Sequence, residues 1–299
     1  MNPYYTDYSE FLGRLFPGVK VQKLSVDGGF TCPNRDGTLS RGGCLYCDNR
    51  SFSPEYTRST PDIAAQIAAG RRFFGRKYPE MRYLAYFQTH TNTYAPVEEL
   101  RRLYLEALAQ PDIVGLIVST RPDCVGEEVT GLLSELSGQT VVIVELGAET
   151  SHDATLSRIN RHHTWHDVTD AVARLHAAGL HTGLHLIFGL PGERVEDMLE
   201  TVRRAAALPV DTLKLHQLQI IRGTALAAQW AGGTDDTLRF TAEEYLRLCA
   251  EVVKLVPRRV AIERFVSQSP PDLLLHPRWN LKNYEFSNRL LRILQEQSR

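Results

Sequence analysis

The chain has 299 residues, 43% of them hydrophobic and 23% charged, with a formal net charge of −1. That length suits one α/β barrel and the composition fills a sizeable core, while the near-neutral balance excludes nucleic-acid binding by bulk charge and leaves only a local patch for it. No run of about 18 to 20 apolar residues is present to cross a bilayer as a helix, and Met1-Asn2-Pro3-Tyr4-Tyr5 lacks the basic stretch and apolar run of a secretory signal, so a cytoplasmic protein with no membrane partner is expected.

After an N-terminal segment, 1–18, residues 19–26 (VKVQKLSV) form a strand-like run, and a loop rich in glycine and cysteine follows. Thr60-Pro61 carries the signal that opens a helix, Thr as cap and Pro at the first position. Residues 82–88 (RYLAYFQ) predict a second strand, Pro96 opens a helix to Leu108, and 113–119 (IVGLIVS) is an apolar run suited to a doubly covered parallel strand. A helix over 127–136 and a strand over 140–146 (TVVIVEL) come next. Thr164-Trp165-His166-Asp167 resembles a capping box for a helix ending at Gly179; 181–188 is a fifth strand, 196–206 a helix and 213–221 a sixth strand. A second capping box, Thr241 to Glu244, starts a helix to about Val256, and a last amphipathic helix covers 282–294.

Strands alternating with helices predict a parallel sheet, curled by right-handed crossovers into a partial (β/α)6 barrel over 19–240, with 241–299 as a C-terminal helical extension. Active sites in such sheets form from the loops at the carboxyl ends of the strands, and the cysteine loop follows the first strand.

Within that loop Cys32, Cys44 and Cys47 are spaced C-x11-C-x2-C. A C-x2-C pair lets two thiolates reach one metal centre, and the glycines around it let the backbone approach closely. Three ligands leave one coordination position open, where a closed structural site wants four. A zinc site that recruits a histidine, and three unrelated buried thiols, are the alternatives. Cys124 and Cys249 fit packing roles, Cys249 within an amphipathic helix pattern; Cys124 is the one candidate nucleophile, and a weak one.

The stretch TCPNRDGT, RGGC and the aromatic Tyr46 before the last cysteine resemble the signature of radical S-adenosylmethionine (SAM) enzymes. The usual spacing there is C-x3-C-x2-C; the long first gap resembles the YhcC/YtqA-type (MnmL) branch, related to the catalytic subunit of elongator. The resemblance implies that Cys32, Cys44 and Cys47 hold three irons of a [4Fe–4S] cluster and that SAM takes the fourth. It also implies SAM contacts from Gln88, Arg121, Glu149, Arg161 and His185. Relatives often carry Gln at the position of Glu149, and the glycines usual before Gln88 are absent. His185 also fits a hydrogen-bonded core histidine, and Gln219 to Thr224 resembles a segment that holds adenine. His162, His163 and His166 straddle a helix start and fit cap or surface roles.

For the substrate, the resemblance implies tRNA, with a change of the wobble-uridine side chain from carboxymethylaminomethyl toward aminomethyl, and a reductase or flavodoxin-type electron donor. No stable protein partner is inferable. Basic and aromatic stretches at 71–78, at Arg258-Arg259, at Arg264 and at 278–284 fit an RNA surface. The alternatives are a radical SAM enzyme acting on a small molecule such as a porphyrin, and a non-catalytic metal-cluster module that binds RNA.

Overall fold

The computed structural model describes residues 2–75 and 80–298. Its main sheet has eight strands: β1 (Thr6–Asp7), β2 (Val21–Val26), β3 (Arg82–Phe87), β4 (Ile113–Thr120), β5 (Val141–Glu149), β6 (His181–Phe188), β7 (Thr212–Gln217) and, after a two-residue β8 (Ile220–Ile221), β9 (Ala261–Arg264). All pairings are parallel, in the order β1-β9-β7-β6-β5-β4-β3-β2. The sheet curls rather than staying flat: Lys23 on the β2 edge reaches Glu263 on β9, near the other edge, at 2.6 Å.

Side chains alternate along each strand. Leu24, Val26, Leu116, Val118, Val142 and Val144 belong to the large core formed with the outer helices. These include α3 (Ile63–Gly75), α4 (Val97–Leu108), α5 (Glu127–Ser137), α7 (Trp165–Ala177), α8 (Val195–Ala207), α10 (Ala242–Leu255) and α11 (Asn283–Gln297), preceded or joined by the short α1 (Tyr8–Leu15), α2 (Glu55–Arg58), α6 (Asp153–Arg158) and α9 (Ala225–Ala231). The inward residues Leu84, Tyr86, Ile117 and Ile143 pack instead with Phe11 and Leu12 of α1. The N-terminal helix therefore stoppers the end of the barrel where the strands begin, which leaves the other end for the cavity.

Both expected capping boxes are present, Thr164 with Asp167 and Thr241 with Glu244. Several expectations need correction. The helix after the cysteine loop is capped by Asp62, whose Oδ1 accepts from the Ala65 N–H at 2.7 Å, while Thr60 holds Asp62 in turn. The strand over 213–221 breaks after Gln217, and β8 pairs antiparallel with β10 (Leu274–His276). The sheet also takes in β1 and β9, too short for periodicity to reveal; β9 puts part of the 241–299 extension inside the barrel wall. Cys249 is fully buried in α10, as its helical pattern implies.

Candidate active site

The cysteine loop folds back on itself. The Arg35 and Asp36 N–H groups donate to the Cys32 carbonyl, Gly43 N–H donates to the Asn34 carbonyl, and Cys47 N–H donates to the Cys44 carbonyl at 3.1 Å. Gly43 has φ +72°, and a Cβ there would meet the Arg35 side chain at 3.1 Å. Buried Asn34 fastens this loop to the turn after α6, donating to the Asn160 carbonyl at 2.5 Å and to Cys44 Sγ at 3.4 Å. Asn160, itself at φ +58°, donates back to the Gly43 carbonyl at 2.7 Å. Eleven intervening residues thus close into a tight return, and all three thiols face one cavity of 340 Å³.

Burial, then the neighbouring Cys44, push the Cys47 thiol up to about 11 against the pull of Arg35. Burial opposes the Arg35 charge too, but Cys47, Cys32 and Cys44 more than restore it; its Nη2 donates to the Cys47 carbonyl at 2.6 Å. Among the described residues, no three His, Cys, Asp or Glu side chains converge as a single-ion site would need. Thiols spread around one cavity with guanidinium groups beside them suit an iron–sulfur cluster, whose corners are separate irons.

The end of β5 lies beside the cysteines. The register slips between Gly147 and Glu149 against β6, a bulge that leaves Glu149 at φ +66°. Arg161 lies over this bulge: Nη2 donates to the Gly147 carbonyl at 2.7 Å and is 3.4 Å from Glu149, while Nη1 is 3.7 Å from Cys44 Sγ. A Cβ on Gly147 would sit 2.5 Å from Arg161 Nη2, so the guanidinium occupies the space a side chain would need. His163 holds Arg161 from behind. Its Nδ1 faces the Thr164 carbonyl at 3.1 Å, which fixes the proton there, and its Nε2 accepts from Arg161 Nε at 3.0 Å. Burial, then Arg161, hold its pKa down at about 3. His163 is therefore a positioning residue rather than a surface one; its two-residue spacing from Arg161 was the available signal. His166 is exposed, 3.5 Å from Asp170, as expected.

Gln88, Arg121, Glu149, Arg161 and His185 all line this cavity. Arg121 is only 2% exposed; Nε and Nη2 grip Asp123 at 2.9 and 2.7 Å, leaving Nη1 buried without a hydrogen-bond partner. Gln88 is 3.4 Å from Ser25 Oγ. His185 both lines the cavity and donates Nε2–H to Glu145 Oε2 at 2.7 Å, which leaves Nδ1 as an acceptor.

That glutamate is the centre of a network the sequence did not disclose. Glu145, buried on β5, contacts Lys23 of β2, Lys214 of β7 at 3.1 Å, and the Tyr86 hydroxyl of β3 at 2.8 Å. Glu263 of β9 takes the remaining valences of both lysines, at 2.6 and 3.1 Å. Burial favours protonation of Glu145, but Lys214 and Lys23 hold its pKa well below the ordinary carboxylate range. Burial, only partly offset by Glu145 and Glu263, brings Lys214 down to about 8. This charged layer separates the apolar stopper from the cavity.

Most of the basic stretches expected to grip RNA lie elsewhere. Arg71 and Arg82 pair with Asp112, just before β4, and Arg258 and Arg259, just before β9, donate to the carbonyls of Asn2, Leu208 and Ala206. Residues preceding parallel strands fall at the end opposite the cysteines, so these guanidinium groups brace the barrel's far end. Trp279 is anchored to the Phe240 carbonyl and stacks near Tyr245. Residues 76–78 lie outside the described residues. Among the described residues of the four stretches only Arg264 lines the cavity; Phe52, 37% exposed, lines it too.

Residues 32–205 match the radical SAM superfamily and residues 210–296 the radical SAM C-terminal domain. The chain is 42% identical to protein YhcC of Escherichia coli K12 (88% of this chain, 83% of that one) and 35% identical to YtqA of Bacillus subtilis (90% and 83%). It is also 27% identical to a tRNA uridine(34) acetyltransferase of Methanocaldococcus jannaschii, over 56% of this chain and 30% of that one. Among solved structures, the archaeal Elp3 of Methanocaldococcus infernus superposes with a TM-score of 0.71 at 17% identity, covering 94% of this chain and 64% of that one. With the cysteine loop at the carboxyl ends of a curled parallel sheet, these likenesses place the chain in the radical SAM superfamily, whose enzymes use a [4Fe–4S] cluster and SAM.

Proposed function

We propose that this radical SAM enzyme modifies the side chain of the wobble uridine in tRNA, converting carboxymethylaminomethyl toward aminomethyl. The observation that carries the RNA part is the likeness, over more than half of the chain, to a tRNA uridine(34) acetyltransferase. Cys32, Cys44 and Cys47 would hold the cluster, and the donor set fits it: three thiols line one cavity, with Arg35 and Arg161 beside the sulfurs to offset their charge. When bound, cluster and SAM supply one-electron cleavage and a hydrogen-abstracting radical.

The chain's own residues bind and orient. Arg121 Nη1, a buried donor with no partner, and the Arg161 fork suit the carboxylate of SAM. Glu149, at the bulge and lining the cavity, suits a ribose hydroxyl, and Gln88 and His185 flank the same space. The apolar stopper and the charged layer close the far end of the barrel to water, which protects a radical from quenching. The exposed Phe52 ring at the cavity offers a stacking face to an RNA loop. A flavodoxin-type or other reductase supplies electrons, and the reading implies a cytoplasmic location.

The test is anaerobic reconstitution with reductant, SAM and tRNA from cells lacking the gene, following 5′-deoxyadenosine and the wobble nucleosides by mass spectrometry. Cleavage of SAM with a changed wobble uridine is expected. Cleavage that leaves every wobble nucleoside intact overturns the tRNA reading in favour of a small-molecule substrate.

A further inference from the structure

The wall of the cavity built by β7, β9 and the segment after β9 carries a positive charge that no carboxylate among the described residues answers. Lys23 and Lys214 share Glu145 and Glu263 between them. Arg264, the third cation of this group, has no carboxylate within ion-pair distance among the described residues. Its Nη2 instead donates to neutral acceptors, His216 Nδ1 at 3.1 Å and Ser267 Oγ at 3.3 Å, and its Nε is buried with no hydrogen-bond partner. Three cations against two carboxylates leave this layer one positive charge in excess.

His216 adds a second unused donor. A guanidinium can only donate, so His216 Nδ1 accepts, and the ring proton of the neutral imidazole sits on Nε2. That atom too is buried and unpartnered. Burial and then Arg264 hold this imidazole well below its ordinary pKa, so it stays neutral and cannot add a further charge. A half-buried guanidinium without a carboxylate partner is unfavourable in isolation, and the unpartnered buried N–H groups add to the penalty. The arrangement is also held rigidly. Gln217 clamps Ser267 through both backbone groups at 2.7 and 2.8 Å, and Gln219 accepts from Ser269 Oγ at 2.6 Å. Arg264, His216, Gln217 and Ser267 line the same cavity as the cysteines.

We propose that Arg264 Nε and His216 Nε2–H form a preorganised subsite for an oxyanion of the substrate, separate from the groups that would hold SAM. Resting on the reading above, the favoured occupant is the carboxylate that ends the carboxymethylaminomethyl arm; a backbone phosphate of the RNA offers the same chemistry. Binding the arm by its terminus would extend it across the cavity and hold its methylene groups between this wall and the cysteine side. It would also make the substrate bind more tightly than the product, since the aminomethyl product lacks the carboxylate.

The holoenzyme, with its cluster but no reductant, can be titrated with two tRNAs, one bearing the carboxymethylaminomethyl arm and one the aminomethyl arm. Wild type is expected to prefer the acidic arm by about tenfold or more, a modest value for a desolvated charge pair. Arg264→Gln is expected to bind both tRNAs alike, at the wild-type affinity for the aminomethyl form. Equal weakening of both by Arg264→Gln, with competition from inorganic phosphate in wild type alone, assigns the subsite to a backbone phosphate. Binding by Arg264→Gln that matches wild type on both tRNAs overturns the proposal. Because Arg264 also supports His216 and Ser267, Arg264→Lys, which keeps the charge and loses Nε, is measured beside it together with both melting temperatures. Millimolar N-methylglycine, the free terminus of the arm, provides a check that needs no tRNA. If it raises the melting temperature of wild type but not of Arg264→Gln while neither tRNA binds, the subsite stands and the tRNA reading falls. If neither probe distinguishes the two proteins, the subsite falls.

Discussion

The two walls of the cavity are built on opposite principles. The cysteine wall is loop: its shape comes from left-handed glycines, an eleven-residue return, and side chains such as Asn34 that tie one turn to another. The opposite wall is strand: its polar groups stand at inward positions of β2, β5, β6, β7 and β9, where barrel geometry sets their spacing. A loop can surround a cofactor because its backbone is free to bend toward it. A strand array cannot bend, but it can hold buried charges at fixed distances, which suits recognition of a charged group and a barrier between cavity and core.

The largest expected contrast is between losing a ligand and losing a network member. Cys44→Ala removes one of three thiols and should abolish both cluster retention and 5′-deoxyadenosine formation, measured as bound iron and as product, with little change in the chain's denaturation midpoint. Glu145→Gln should do the reverse at first. It leaves Lys23 and Lys214 with Glu263 as their sole carboxylate in a buried layer, and breaking a buried ion pair by removing one partner costs about 3–5 kcal/mol. Urea denaturation of the metal-free chain reads that loss directly. A stable Glu145→Gln protein would mean that the lysines find water, and that the strand wall is less closed than its geometry implies.

The same difference explains what the sequence could disclose. Cys32, Cys44 and Cys47 are neighbours in the chain, and glycines beside them mark the return, so the motif is local and visible. The six longest strands and their helices were also legible, because each is a continuous apolar or amphipathic run. Lys23, Glu145, Lys214 and Glu263 are separated by up to 240 positions and each adjoins an outward apolar residue, where an isolated charge looks like a solvated one. Only the register of the closed sheet brings them together. The basic stretches misled for a related reason: composition shows charge but not which end of a strand carries it, and Arg258 and Arg259 precede β9 while Arg264 ends it. The bulge at Gly147 was hidden because it depends on β6 as much as on β5.

Gly147 tests whether the loop wall and the strand wall are coupled. Gly147→Ala places a methyl group 2.5 Å from Arg161 Nη2, so the guanidinium must leave the bulge or the bulge must open. Overpacking of this kind costs about 1–3 kcal/mol. SAM affinity of the cluster-loaded enzyme should fall with it, read by equilibrium dialysis, while iron content stays at the wild-type level. Unchanged SAM affinity would remove Arg161 from the cofactor's contacts.

The last effect is a pH slope. His163 is held neutral, with its pKa lowered to about 3, and in the unfolded chain it titrates at its ordinary value near 6.5. Between those values the unfolded state binds the additional proton, so folding stability rises with pH across that window and is lost as the pH falls below about 6.5, by up to about 1.4 kcal/mol per pH unit. His163→Gln keeps an acceptor for Arg161 Nε and has no proton to gain. Its stability in urea should therefore fall less steeply than wild type between pH 6 and about 4, although the two proteins are similar at pH 8. Because buried His185 and His216 have the same sign of shift, the variant should reduce the slope without removing it. A slope equal to wild type would mean that His163 is already charged in the folded state, and then it could not accept from Arg161 or hold that guanidinium toward Cys44.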